Sequence, residues 1–105
     1  MWWVLQIIAC LIVVSALLFA RWYGLNRGGI VVPWGVKILV EPLAAFAFIK
    51  SYALAPSFFQ PWFLGTAVIT LGGFIGSLVF FGEAITAMKI FAAMLILAGS
   101  LLLTL

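Results

Sequence analysis

The chain has 105 residues, of which 69% are hydrophobic and only 7% charged, with a mean hydropathy of +1.44. A soluble domain is nearer a quarter charged, so this composition excludes a soluble globular domain, a disordered tail and a disulfide scaffold. What remains is an integral membrane protein of one domain. The net charge of +3 comes from five cations that form no basic run, which argues against a nucleic-acid surface. There is no His and one Cys, Cys10, and neither a phosphate-binding nor a dinucleotide-binding glycine motif is present. The chain is therefore read as a non-enzyme with no metal and no cofactor.

A spanning helix needs about 20 mostly apolar residues. The first span is predicted over 2–21, with no charge before Arg21. Arg21, Trp22 and Tyr23 read as an interfacial anchor. Without a cationic n-region or a small-residue cleavage pattern, the segment is expected to be a retained anchor. A loop around Gly24 to Gly29 follows. The second span is predicted over 33–55, opened by Pro33 and interrupted by Pro42. It carries Lys37, Glu41 and Lys50. The uncharged stretch from Ser51 to Gly82 is too long for one crossing. Pro56 and Pro61 divide it, so the third span is predicted over 61–81. A turn at Gly82-Glu83-Ala84 leads to the fourth, over 85–105.

The expectation is one all-α domain of four transmembrane helices with short loops, packed as a bundle too small to enclose a chamber alone. Arg21, Arg27, Lys37 and Lys89 flank the first and third loops; Lys50 flanks the second. The positive-inside rule then places both termini outside the cytoplasm.

Glu41 is the leading candidate for function. A short carboxylate deep in a spanning helix must be protonated, paired, or turned towards a wet cavity. One reading pairs it with Lys37, one turn earlier; the other makes it a substrate or proton site. Trp34, Lys37, Glu41, Ala45, Phe48 and Tyr52 fall on one helical stripe. A carboxylate among aromatics suits an amphipathic or cationic guest. Lys50 lies on the other side of that helix and reads as a snorkelling lysine or a contact for an anionic head group. The candidate substrate-binding set is thus Glu41, Lys37, Phe48, Tyr52 and Lys50. In the third span Thr66, Thr70, Gly73 and Ser77 share a face, with Gly72 and Gly76 beside it, and the pattern reads first as helix packing. Glu83 is expected to cap the fourth helix. Gln6 and Cys10 share a mildly polar face of the first.

The second half carries a family pattern. Ser51-Tyr52-Ala53-Leu54-Ala55-Pro56 precedes the third span, Phe80-Phe81-Gly82-Glu83 closes it, and Ala92-Ala93-Met94-Leu95-Ile96-Leu97-Ala98-Gly99 runs along the fourth. This resembles the drug/metabolite transporter superfamily and, by size, the small multidrug resistance family. Ala92 stands where that family's fourth-helix pattern has its first glycine; Gly99 keeps the second. The resemblance implies a multi-pass protein of a bacterial or archaeal inner membrane, working by alternating access. It also implies a homodimer or a paired homologous subunit, held by a seam at Ala92, Ile96 and Gly99. The exporters of that family carry a first-helix glutamate, and no carboxylate lies between Met1 and Ala20 here. The lipid-linked aminosugar flippase subunits also lack it, so the resemblance points to a small amphipathic or lipid-like substrate. Two other readings stay open: an accessory subunit that stabilises a larger membrane complex, and a proton-coupled exporter of cationic drugs.

Overall fold

The computed structural model describes residues 1–104 and consists of four helices: α1 (Trp2–Asn26), α2 (Val31–Leu54), α3 (Phe59–Phe81) and α4 (Ala87–Thr104). Each is long and apolar enough to cross a membrane. The chain has the build of a multi-pass integral membrane protein.

The helix ends follow local chemistry. α1 runs five residues past the predicted end of the span at 21 and carries the Arg21, Trp22 and Tyr23 anchor within it. It ends before Gly28 and Gly29, whose φ of 73° and 90° suit glycine alone. α2 starts two residues before Pro33 and continues through Pro42. α3 starts two residues before Pro61, so the ring lies in the first turn, where its missing N–H costs nothing. Gly82 closes α3 in the left-handed region, and the Glu83 N–H donates to Ser77 O at 3.1 Å.

The helices form one layer rather than a closed bundle. α1 packs against α2 and α3, and α3 packs against α4, so the spatial order is α2–α1–α3–α4. The molecule measures 43 × 36 × 16 Å, flattened along one axis. The expected bundle is corrected by this arrangement. α3 uses one row of small residues for α1 and another side for α4, so the contacts run in line instead of closing a ring.

The α1–α3 seam is the tightest. Gln6, Cys10, Val14 and Leu18, each one turn apart, lie against Pro61, Gly65, Gly72 and Gly76. A Cβ on Gly65 would stand 2.7 Å from Gln6 Nε2, one on Gly72 3.1 Å from Val14, and one on Gly76 2.5 Å from Leu18. In lipid, where apolar surface gains little from leaving its solvent, this close approach of backbones supplies the packing energy. On α4 only Ser100 is buried.

At one end of the layer Arg21 Nη2 meets Glu83 Oε2 at 3.2 Å, and the same guanidinium lies 6.0 Å from the Phe81 ring centre. The expected capping role of Glu83 is not what is seen: Thr86 Oγ1 accepts from the Lys89 N–H at 3.3 Å and caps α4 instead. Thr86 is one residue from the helix start, whereas Glu83 is four away and turned to Arg21. Both partners are about half exposed, at 56% and 42%. Arg21→Ala is therefore expected to lower stability by about 1 kcal/mol or less, with a smaller effect in high salt. Thermal melts of the two proteins in detergent at two salt concentrations check this.

Candidate functional site

The two sides of the layer differ in chemistry. One side bears grooves lined by Ile8, Leu11, Ile12, Ser15 and Phe19 of α1 with Val36 and Val40 of α2, and by Trp22, Phe80 and Phe81 further along. It is almost wholly apolar. The opposite side bears three grooves that share Ile69 and run along α3. Their linings include Gln6, Cys10, Arg21, Tyr52, Thr66, Thr70, Ser77, Glu83 and Lys89. On α1 the split follows helical spacing: Gln6, Cys10, Leu17 and Arg21 fall on one stripe, and Ile8, Leu11, Ser15 and Phe19 on the reverse.

The best-built groove on the polar side lies between α1, α2 and α3, with a volume of about 320 Å³. Gln6 and Cys10 form its base, Phe48 and Tyr52 one wall, and Trp62, Thr66 and Thr70 the other. Gln6 is 1% exposed. Its Nε2 donates to Pro61 O at 2.9 Å, while its Oε1 accepts no hydrogen bond. Cys10 Sγ makes a long contact of 3.9 Å with Gly65 O. Tyr52, Phe58 and Trp62 stack in sequence at ring-centre distances of 5.3 and 6.1 Å, closing the end of the groove at the α2–α3 turn. Thr66 Oγ1 donates to Trp62 O at 2.9 Å, which leaves its oxygen lone pairs free.

The residues expected to bind substrate divide into three places. Phe48 and Tyr52 line this groove. Lys37 and Glu41 lie about two to three turns before Phe48 on the same stripe of α2 and line none of the grooves described above. They form an ion pair of 2.9 Å with side chains 37% and 50% exposed. The paired reading of Glu41 is thus the observed one. Glu41 lies ten residues beyond Val31, about 15 Å along the axis and near the middle of α2. Lys50 is apart from both: its ammonium lies 5.4 Å from the Phe46 ring centre, on another side of α2, as a snorkelling lysine would.

Gln6, Cys10, Trp62, Gly65, Thr66, Ile69 and Thr70 line the groove and were not in the expected substrate-binding set. Gln6 and Cys10 show in sequence only as weak polarity one turn apart. Trp62 shows in sequence only as a tryptophan near the start of the third span. The Thr66–Ser77 row is corrected too: Gly65, Gly72 and Gly76 do the packing on α1, while Thr66, Thr70 and Ser77 line grooves. The distinction follows from size, since only the glycine row can seat Val14 and Leu18.

On α4, Ala92, Ile96 and Gly99 form an exposed strip beside Ala93, Leu97 and Ser100, the more covered row. A Cβ on Gly99 would meet nothing within 4 Å. Among the described residues no group of three metal-ligating side chains gathers.

No family model, no curated protein and no solved structure matches the chain.

Proposed function

We propose that the chain is a subunit of a small membrane transporter or flippase that moves an amphipathic, lipid-like molecule by alternating access. It would work in a bacterial or archaeal inner membrane, paired with a second copy or a homologous subunit across the polar side of the layer. One observation carries this reading: most of the polar side chains of the spans line grooves on one side, and the Lys37–Glu41 pair follows the same stripe of α2 as Phe48 and Tyr52, with Lys50 set apart. A charge at the bilayer centre costs roughly 3 kcal/mol or more when it faces lipid. The half-exposed Lys37–Glu41 pair at mid-helix therefore favours a wet or protein-covered side over a lipid-facing one. A layer this thin has no interior of its own, and two such layers face to face would enclose one. The Lys37 ammonium beside Glu41 speaks against export of cationic drugs.

Purified protein in liposomes tests the proposal, with a fluorescent head-labelled lipid whose outer-leaflet copies are bleached chemically. Translocation above that of empty liposomes supports it; a rate equal to empty liposomes favours the accessory-subunit reading. That second reading draws on α4, which is exposed along most of its length and packs chiefly on α3.

The strip at Ala92, Ile96 and Gly99 is the proposed seam between copies. Gly99→Trp adds bulk where the chain itself has room. It is expected to shift the detergent-solubilised protein from dimer to monomer with its helicity unchanged. Sedimentation at matched concentrations checks this, and dimers that persist remove α4 from the interface.

A further inference from the structure

We infer that the end of the layer at Arg21, Glu83 and Lys89 holds an anionic, two-chain phospholipid of the bilayer as a resident of the fold. The inference does not use the transport reading, because this lipid is seated and not carried. Two grooves meet there on either side of one ridge of α3. One, between α1 and α3, has a volume of about 250 Å³ and runs past Val14, Leu17 and Phe81 to Arg21. The other, between α3 and α4, has a volume of about 310 Å³ and runs past Thr70, Phe74 and Ile85 to Lys89. Ile69, Gly73, Ser77 and Glu83 border both, and the first three stand one turn apart along the ridge. Each groove is thus apolar towards mid-membrane and cationic at the helix ends, which is the polarity of an acyl chain with its head group.

Charge decides which head group. The chain has two acidic side chains, and both are engaged: Glu41 with Lys37 at 2.9 Å and Glu83 with Arg21 at 3.2 Å. Lys89 has no carboxylate. Its ammonium donates to Ala84 O at 3.1 Å, which leaves two of its three hydrogens for a guest. This end of the layer therefore carries one uncompensated positive charge where the helices end, and a phosphodiester matches it. A zwitterionic head would bring its own ammonium beside Lys89 and Arg21. Gly73 gives an independent sign that a guest lies on the ridge. Gly65, Gly72 and Gly76 are small because α1 sits on them, whereas a Cβ on Gly73 would meet nothing within 4 Å. Packing within the chain does not account for a glycine there, in mid-helix, where it weakens the helix. Two acyl chains lying against the ridge do. α4 gains most from such a guest, since Ser100 alone of its residues is buried by the chain itself.

The test uses the full chain, delipidated in dodecyl maltoside, with native mass spectrometry to count the lipid retained. Dioleoyl phosphatidylglycerol and dioleoyl phosphatidylcholine, which share their chains, are titrated separately, with glycerol phosphate as the head without chains. Phosphatidylglycerol is expected to half-saturate one site per chain at about fivefold lower concentration than phosphatidylcholine, the effect of one cation near an anionic lipid. Glycerol phosphate is expected not to be retained. Lys89→Gln is expected to bring the two lipids to equal affinity. Gly73→Leu fills both grooves from a position with open space around it. It is expected to abolish retention of either lipid, with helicity by circular dichroism unchanged. Should Gly73→Leu fail to fold, Lys89→Gln, at an exposed position, still decides. Four results each overturn the inference: equal affinity for the two lipids in the parent, a preference that survives Lys89→Gln, retention that survives a folded Gly73→Leu, or retention of glycerol phosphate. The liposome translocation assay bears on the transport reading alone.

Discussion

Glu41→Gln is expected to slow lipid translocation in liposomes by about tenfold or more while leaving the protein folded and associated. The substitution keeps the shape of the side chain and removes its charge. In the parent, Glu41 and Lys37 neutralise each other at 2.9 Å on the polar side of α2. After the change Lys37 keeps an ammonium with no partner close to mid-membrane. The bare cation must be hydrated or drawn towards the interface, and either outcome alters the surface along which a substrate would pass. A merely structural pair gives a different result. Exposed i,i+4 pairs contribute only about 0.3–0.5 kcal/mol to a helix, so its loss would leave the initial rate unchanged. Rates normalised to reconstituted protein, with sedimentation to verify assembly, separate the two.

Gly65→Val is expected to be the most damaging single change to the fold, destabilising it by about 3 kcal/mol. Gly65 lies where α1 comes closest to α3. Even one added methyl group would stand 2.7 Å from Gln6 Nε2 and 3.5 Å from Cys10 Sγ. Gln6 is buried and tied to Pro61 O at 2.9 Å, so it can move aside only by giving up that bond. Pushing it aside breaks that bond and leaves both ends of its amide unpaired. The same substitution at Gly99 adds the same atoms to open space and is expected to leave the melting temperature of the monomer unchanged. Thermal melts of both variants in one detergent make the comparison. Equal melting temperatures would mean that the α1–α3 seam is not where the layer is held together.

What could be read from the residues was the number of crossings and the places where the chain turns. Hydropathy marks the four spans, Pro33 and Pro61 lie in the first turns of α2 and α3, and Gly82 closes α3. The layer itself was not legible. Helices that are apolar all round carry little amphipathic signal to say which side meets a neighbour. The pairing of Arg21 with Glu83 spans 62 positions in sequence, so no local pattern announces it. Glycine rows show that a close contact exists but not with which helix, and here Gly65, Gly72 and Gly76 proved to seat α1. One wall of the groove was visible, in Phe48 and Tyr52, because aromatic residues on one stripe of α2 stand out. Gln6 was faint: a single neutral amide in an apolar run has the look of tolerated polarity until its buried, unpaired oxygen is seen.

The division of the layer into a wet side and a lipid side is the premise for the rest, and cysteine accessibility measures it directly. Single cysteines are placed in a Cys10→Ala background at Phe48, Thr66 and Thr70 on one side and at Ile8, Leu11 and Ser15 on the other. A membrane-impermeant maleimide is then applied to protein in liposomes opened to both faces. Modification of the first three positions with the second three silent is the expected pattern. Silence at all six, or faster reaction at Ile8, Leu11 and Ser15, would mean that lipid covers the polar side and that no transport path runs there.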